Sequence, residues 1–191
     1  MVRAYLAAAI AVAAALLPVA AEAAQAVLYD KSRISVVSRQ EKVPVEALFR
    51  KFTAQVDLDP ARPEAGKVRI EIDVASFDIG FAEYNDDAKG KNWFDTRNFP
   101  QARFVSTGIR ALGGGRFEVR GPLTLKGTTA DVVAPFTYRA EAGGGLFEGA
   151  FTIKRLQFNI GDGVWRETET VADEVQIKFR IQVAATPAGK K

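Results

Sequence analysis

The sequence contains no cysteine and no histidine. Without cysteine the chain can form no disulfide, no thiolate nucleophile and no zinc–thiolate site. Without histidine it also lacks the commonest general base near neutral pH and the commonest metal ligand. Mechanisms that depend on imidazole or thiolate are therefore excluded. We expect a protein that is not an enzyme, with no catalytic residues, no bound metal and no cofactor.

An excess of charge of one sign is also missing. The 26 basic and 23 acidic residues give a formal net charge of only +3. Bases and acids are interleaved, as in the run from Lys67 to Asp73, whereas a nucleic-acid site needs a stripe of one sign. The pattern is typical of a solvated sheet face, and we expect no nucleic-acid partner.

One long uncharged run occurs, from Ala4 to Ala21, directly after Arg3 and before small-residue cleavage patterns. This order is typical of a secretory signal peptide. The alternative is a membrane anchor, although alanine is weakly hydrophobic and Pro18 interrupts the run. We expect a signal peptide over 1–23, a domain over 24–185 and a basic tail over 186–191. Export without cysteine favours the periplasm.

After the predicted signal peptide, hydrophobic residues alternate with polar ones along short segments. The clearest segment runs from Glu174 to Val183, where every second residue is valine, isoleucine or phenylalanine. Alternation with period two predicts a strand with one buried and one solvated face. The pattern predicts eight strands, at Ser32–Ser38, Ala47–Leu58, Lys67–Val74, Ala102–Leu112, Arg116–Lys126, Ala130–Ala140, Leu146–Lys154 and Glu174–Val183.

Glycine-containing turns at 113–115, 126–128 and 143–145 separate several of these strands, as expected for antiparallel neighbours. Phe49 and Phe52 are three residues apart, so they share a face only if a bulge lies between them. The segment around 81–99 does not alternate, and we expect it to form a short helix and loop whose aromatic side chains are buried against the sheet.

Eight antiparallel strands can close into a barrel, which leaves no open edge. Such a barrel is either filled by its own side chains or encloses one ligand. Strands of this length give a tube roughly 30 Å long at about 3.3 Å per residue, which suits an extended apolar chain. A packed β-sandwich that binds nothing explains the same pattern and stays an alternative.

If a ligand is bound, one parity of the strands lines its site and aromatic residues surround the mouth. Gly121 and Gly149 lie on the same rows and are expected to leave space. The predicted ligand-binding residues are Val68, Ile70, Ile72, Val74, Trp93, Phe94, Phe99, Phe117, Val119, Leu123, Leu125, Phe147, Phe151, Ile153, Trp165, Val175, Ile177 and Phe179.

Five segments resemble, in the same order, the YceI-like polyisoprenoid-binding proteins, which are exported lipocalin-like barrels. The segments are 29–34, 48–52, 75–80, 92–107 and 121–129. The most specific parts are the run from Phe94 to Thr107 and the Gly-Pro-Leu-Thr-Leu-Lys-Gly stretch that begins at Gly121. The resemblance implies an all-β, eight-stranded antiparallel lipocalin-like barrel. It also implies a soluble carrier for a polyisoprenoid or similar lipid, such as a quinone tail or fatty acid.

The sequence departs from the family at two positions. Many members carry histidine where this chain has Lys31 and Lys126, so any role of those imidazoles cannot operate here. These lysines and Arg33 are candidates to bond a polar head group, or else surface charges. Transient contact with a membrane or membrane protein, and a homodimer, are compatible with the resemblance. An outer-membrane eight-stranded barrel and a barrel without a ligand stay as alternatives.

Overall fold

Antiparallel pairing runs from strand to strand through residues 24–185, which are the residues that the computed structural model describes. The predicted signal peptide and the predicted basic tail lie outside the described residues. The strands are β1 (Arg33–Gln40), β2 (Val43–Phe49), β3 (Phe52–Asp57), β4 (Lys67–Asp73), β5 (Phe77–Asp78), β6 (Gln101–Val105), β7 (Gly108–Gly113), β8 (Arg116–Leu125), β9 (Thr128–Glu141), β10 (Gly144–Lys154) and β11 (Glu174–Ala184). The one α-helix among these residues is α1 (Ala82–Lys89).

The all-β antiparallel fold is confirmed, but the count of eight hydrogen-bonded strands is wrong. The predicted strand Ala47–Leu58 is divided at Arg50 and Lys51, and Ala102–Leu112 is divided at Ser106 and Thr107. The two-residue β5 was not predicted. Because β2 continues into β3, β4 into β5 and β6 into β7, the 11 strands of the sheet correspond to three bent strands and five single ones.

The sheet closes through its bent strands. Neighbours follow the order β3-β4-β6-β8-β9-β10-β11-β1-β2-β5, and β7 also pairs with β8. The bent strand formed by β2 and β3 lies beside the bent strand formed by β4 and β5. The two are paired on both sides of their bends, because β3 pairs with β4 and β2 pairs with β5. The N-terminal segment fills the remaining seam, because Gln25 bridges to Val56 of β3 and Val27 bridges to Val183 of β11. The result is a barrel-like wall.

The break between β2 and β3 has the effect expected of a bulge. The Arg50 amide donates to the Ser76 carbonyl at 3.1 Å, and the Asp73 amide donates to the Lys51 carbonyl at 3.1 Å. This irregular pairing shifts the alternation by one residue. Phe49 and Phe52 therefore both pack against the core.

The two glycines on the apolar rows make room for the protein itself. At Gly121 a Cβ would lie 2.1 Å from the Val105 carbonyl oxygen, at the break between β6 and β7. At Gly149 a Cβ would lie 2.5 Å from the ring of Phe179, the residue opposite it on β11. The expectation that these glycines leave space for a ligand is therefore wrong.

The apolar rows face the interior of the curved sheet. Alternate residues of β8, from Phe117 to Leu125, are buried in one hydrophobic cluster. Charged side chains of the opposite parity pair with each other along the outer face, for example Arg110 and Arg120 with Glu118. Those two guanidinium groups donate hydrogen bonds to Glu118 and hold the pKa of its carboxyl below the ordinary value.

The predicted helix is present as α1, which follows the short β5. Ala88 is buried, whereas Phe81 and Tyr84 are 66% and 57% exposed and contact each other with ring centroids 6.0 Å apart. The expected burial of the segment's aromatic side chains is thus wrong for these two residues. Trp93 and Phe94 do pack against the core. No helix within residues 24–185 has the length and apolar character needed to span a bilayer.

Candidate functional site

A cavity of about 540 Å³ opens at one end of the curved sheet. Two segments cover this end: 79–100, which contains α1, and 155–173, which follows β10. The segments are joined to each other, because the amides of Gly161 and Asp162 both donate to the Asn92 carbonyl at 2.8 Å. The Trp93 and Trp165 rings are also in contact, with centroids 5.5 Å apart. The cavity lies between this cover and the inner faces of the strands.

Half of the predicted ligand-binding residues line this cavity. They come from the strand ends nearest the cover and from the cover itself. These residues are Ile72, Trp93, Phe94, Leu123, Leu125, Ile153, Trp165, Val175 and Ile177. Their contact with a ligand stays a prediction.

The other predicted residues do not line the cavity. At the far end of the sheet the Phe136 ring stacks on Phe117 at 5.3 Å between centroids and meets Phe147 edge to face at 6.1 Å. The interior is therefore packed at that end, and this cavity lies near the cover. The cavity therefore does not run along the whole length of the strands, as the expected tube of roughly 30 Å would. The predicted residues outside the cavity lining are Val68, Ile70, Val74, Phe99, Phe117, Val119, Phe147, Phe151 and Phe179.

Sequence reasoning missed much of the lining, above all the β1–β2 hairpin. Its inward side chains alternate in both strands, which is the signal of a half-buried hairpin, but the predicted strand Ala47–Leu58 begins four residues after β2 does. The hairpin tip is held against the cover, since the Glu41 amide donates to the Thr170 carbonyl at 3.0 Å. The additional lining residues are Ile34, Val36, Ser38, Gln40, Glu41, Val43, Val45, Ala47, Phe49, Phe77, Ile79, Tyr84, Asp87, Ala88, Ala102, Arg155, Ile160, Thr170 and Val171.

Arg155 organises the second covering segment. It is only 2% exposed. Its Nε donates to Ala172 at 3.0 Å, Nη1 to Ile160 and Gly161 at 2.9 and 3.2 Å, and Nη2 to Trp165 and Val171 at 2.7 Å each, in every case to the backbone carbonyl. A guanidinium has five N–H donors, so all of them are used.

Position 161, beside this guanidinium, has room only for glycine. It has φ of +78°, and a Cβ there would lie 2.1 Å from Nη1 of Arg155. Burial lowers the pKa of Arg155, but an arginine stays charged in a protein. The covering segment is therefore wrapped around a permanent buried cation whose charge is compensated by carbonyl dipoles. No sequence pattern indicated this role.

Lys126 fastens the cover to the β8–β9 turn. Its Nζ donates to the Lys91 carbonyl at 2.8 Å and to the Asn159 carbonyl at 2.7 Å, one in each covering segment. Burial lowers the pKa of Lys126, while the carboxylates of Asp95 and Asp162 oppose that shift. The side chain therefore holds backbone in place and does not line the cavity. Lys31 and Arg33 are exposed and do not line it either.

The mouth of the cavity carries exposed hydrophobic side chains. Val43 of β2 and Tyr84 of α1 line the cavity and are 61% and 57% exposed. Phe81 contacts the Tyr84 ring, and Val164, next to Trp165, is 81% exposed. We call these four residues the apolar rim. Exposed apolar side chains grouped around one opening are typical of a contact surface.

The chain is similar to one family model, to curated relatives and to solved structures. The YceI-like domain model matches residues 26–183. A UPF0312 protein of Pseudomonas savastanoi is 31% identical over 131 residues, which are 65% of this chain and 68% of that protein. The crystal structure of Burkholderia cenocepacia BcnA has a TM-score of 0.81 at 48% identity, and the match covers 84% of this chain and 99% of that one.

A more distant solved structure has the same fold. A polyisoprenoid binding domain from Saccharophagus degradans matches with a TM-score of 0.68 at 14% identity, over 86% of this chain and 100% of that domain. A likeness at this level of identity shows the fold alone.

Proposed function

The chain belongs to the YceI-like domain family, and from this premise we propose that it binds a polyisoprenoid or similar long-chain lipid in the cavity beneath its cover. A quinone tail and a fatty acyl chain belong to the same ligand class. A domain of the same fold is described as polyisoprenoid binding, which supports the proposal by analogy. Export to the periplasm is part of the proposal and is supported by the sequence of the leader.

The observation that carries the proposal is an apolar cavity of about 540 Å³. Small-molecule sites range over roughly 300–1,000 Å³ and are lined mostly by hydrophobic and aromatic side chains. Each methylene transferred from water into such a lining gains about 0.8 kcal/mol. Several isoprene units could therefore supply the whole affinity after the costs of ordering the ligand are subtracted.

We propose binding without chemical conversion. The only buried charged side chain of the described residues is Arg155, and its donors are all engaged by backbone carbonyls. General acid–base or nucleophilic catalysis needs a group that can reach the reacting atom. The cavity instead offers a large apolar surface, which suits retention of a chain.

Native mass spectrometry of protein purified from its own host tests the proposal. We expect a noncovalent adduct of lipid mass that denaturation removes and solvent extraction recovers for identification. Protein that is delipidated by unfolding and then refolded provides the control, and it should regain the adduct on exposure to host lipid extract. A protein that is folded and consistently empty in both preparations would contradict the function.

We also propose that the apolar rim contacts a bilayer while lipid enters or leaves, because membrane-resident lipids must cross water otherwise. Phe81→Ser should slow the transfer of a fluorescent isoprenoid analogue from zwitterionic vesicles several-fold, since less apolar area meets the membrane. Phe81 is 66% exposed and does not line the cavity, so its loss leaves the ligand site unchanged. Leu112→Ser is the matched control, because Leu112 is 43% exposed on β7 and does not line the cavity. Equal transfer rates for both variants and the wild type would contradict the role of the rim.

A further inference from the structure

A small set of polar and charged side chains lines the cavity. Among the described residues that line it, Arg155 is the only lysine or arginine. All five N–H groups of this guanidinium donate to backbone carbonyls at 2.7–3.2 Å, so none is free for a carboxylate or phosphate. The cavity thus lacks the cationic donor with which proteins usually bind anionic head groups.

Two carboxylates border the same cavity. Glu41, at the tip of the β1–β2 hairpin, and Asp87, on α1, are exposed and line it. Within residues 24–185 neither side chain has a hydrogen-bond or ion-pair partner. Of the nearby cations, Lys89 pairs with Asp86 at 2.7 Å, and Arg166 pairs with Asp162 at 3.5 Å. Lys42, beside Glu41 at the hairpin tip, is exposed and does not line the cavity.

Neutral polar side chains complete the border. Ser38 and Gln40 of β1 and Thr170 of the cover line the cavity beside Glu41. A hydroxyl or an amide can donate to a carbonyl or accept from a hydroxyl on a ligand. The deeper lining is aliphatic and aromatic, so the polar end of a bound lipid has its partners at this border.

We infer that the cavity selects lipids with an uncharged, hydrogen-bonding polar end and discriminates against carboxylate and phosphate ends. This inference rests on the proposed function and narrows it. An anionic head at the border would lie near the unpaired carboxylates of Glu41 and Asp87, and among the described residues no cation with a free N–H group lines the cavity to compensate it. A hydroxyl or carbonyl head would meet Ser38, Gln40 or Thr170 and carry no such cost.

Delipidated protein and two probes of equal chain length, dodecanol and dodecanoate, test the inference. Dodecanol partitions into apolar sites better than dodecanoate for intrinsic reasons, so the informative quantity is the ratio of the two dissociation constants across variants. In the double variant E41Q/D87N the preference for dodecanol should fall on the order of tenfold, as expected when two nearby like charges are removed at the surface.

The matched control is E64Q/E141Q, which changes the net charge equally. Both residues are exposed and lie at the end opposite the cover, away from the cavity. Glu64 belongs to the short 3₁₀ helix Pro63–Ala65, and Glu141 ends β9, where it pairs with Arg139 at 3.4 Å. This variant should keep the wild-type ratio. An unchanged ratio in E41Q/D87N, or a wild type that binds dodecanoate as tightly as dodecanol, would overturn the inference alone. Failure of the wild type to bind either probe would overturn the proposed function itself.

Discussion

Replacing Arg155 with alanine is expected to lower the free energy of unfolding by about 3–5 kcal/mol, the cost typical of breaking a buried, charged hydrogen-bond network. Five backbone carbonyls lose their donor at once, and water can reach only part of the space left behind. For a domain of this size the melting temperature should fall by roughly 10 °C. Thermal and denaturant unfolding followed by circular dichroism measure the change.

Two further variants separate this role from a general effect of charge. Arg166→Ala removes an exposed arginine of the same segment, paired at 3.5 Å with Asp162, and should change stability by less than about 0.5 kcal/mol. Arg155→Lys keeps the charge but has three donors instead of a planar five-donor fork, so it should recover only part of the loss. If Arg155→Ala melts at the wild-type temperature, the segment is held by other contacts.

The role of Arg155 also shows what periodicity cannot reveal. In the sequence the residue follows Ile153 and Lys154 at the end of an alternating run, where a solvated charge is the ordinary interpretation. Its burial depends on the backbone of 160–172 turning five carbonyls toward one point. Those residues carry no alternation, and carbonyl direction is a property of the folded loop rather than of residue type.

The alternation within strands predicted the apolar face of the sheet but not the extent of the cavity along each strand. Alternation correctly indicated which face of each strand is apolar, as β8 and β11 show. It could not indicate how far along the strand the interior is open. Ile177 lines the cavity, whereas Phe179, two residues later on the same face, packs beside Gly149. That difference depends on the distance of each residue from the cover.

Placing a glutamate at position 177 is expected to abolish lipid loading while leaving the protein folded. Ile177 is half-buried and lines the cavity, so a carboxylate there can be hydrated when no ligand is bound. A bound lipid would remove that water and leave the charge against hydrocarbon, which should weaken binding by at least about 100-fold. Native mass spectrometry measures loading, and circular dichroism with thermal unfolding checks the fold.

Two glutamate variants outside the cavity show where the effect arises. Val133, 49% exposed on β9, lies outside the lining, so Val133→Glu should stay folded and loaded. Val119 is 6% exposed and belongs to the hydrophobic cluster without lining the cavity, so Val119→Glu should lower the melting temperature strongly, since no water can reach its charge. If Ile177→Glu remains folded and still carries lipid, the ligand does not occupy this cavity. If Ile177→Glu instead unfolds as Val119→Glu does, the space beside residue 177 is not open to water, and the cavity is closed by the protein's own side chains.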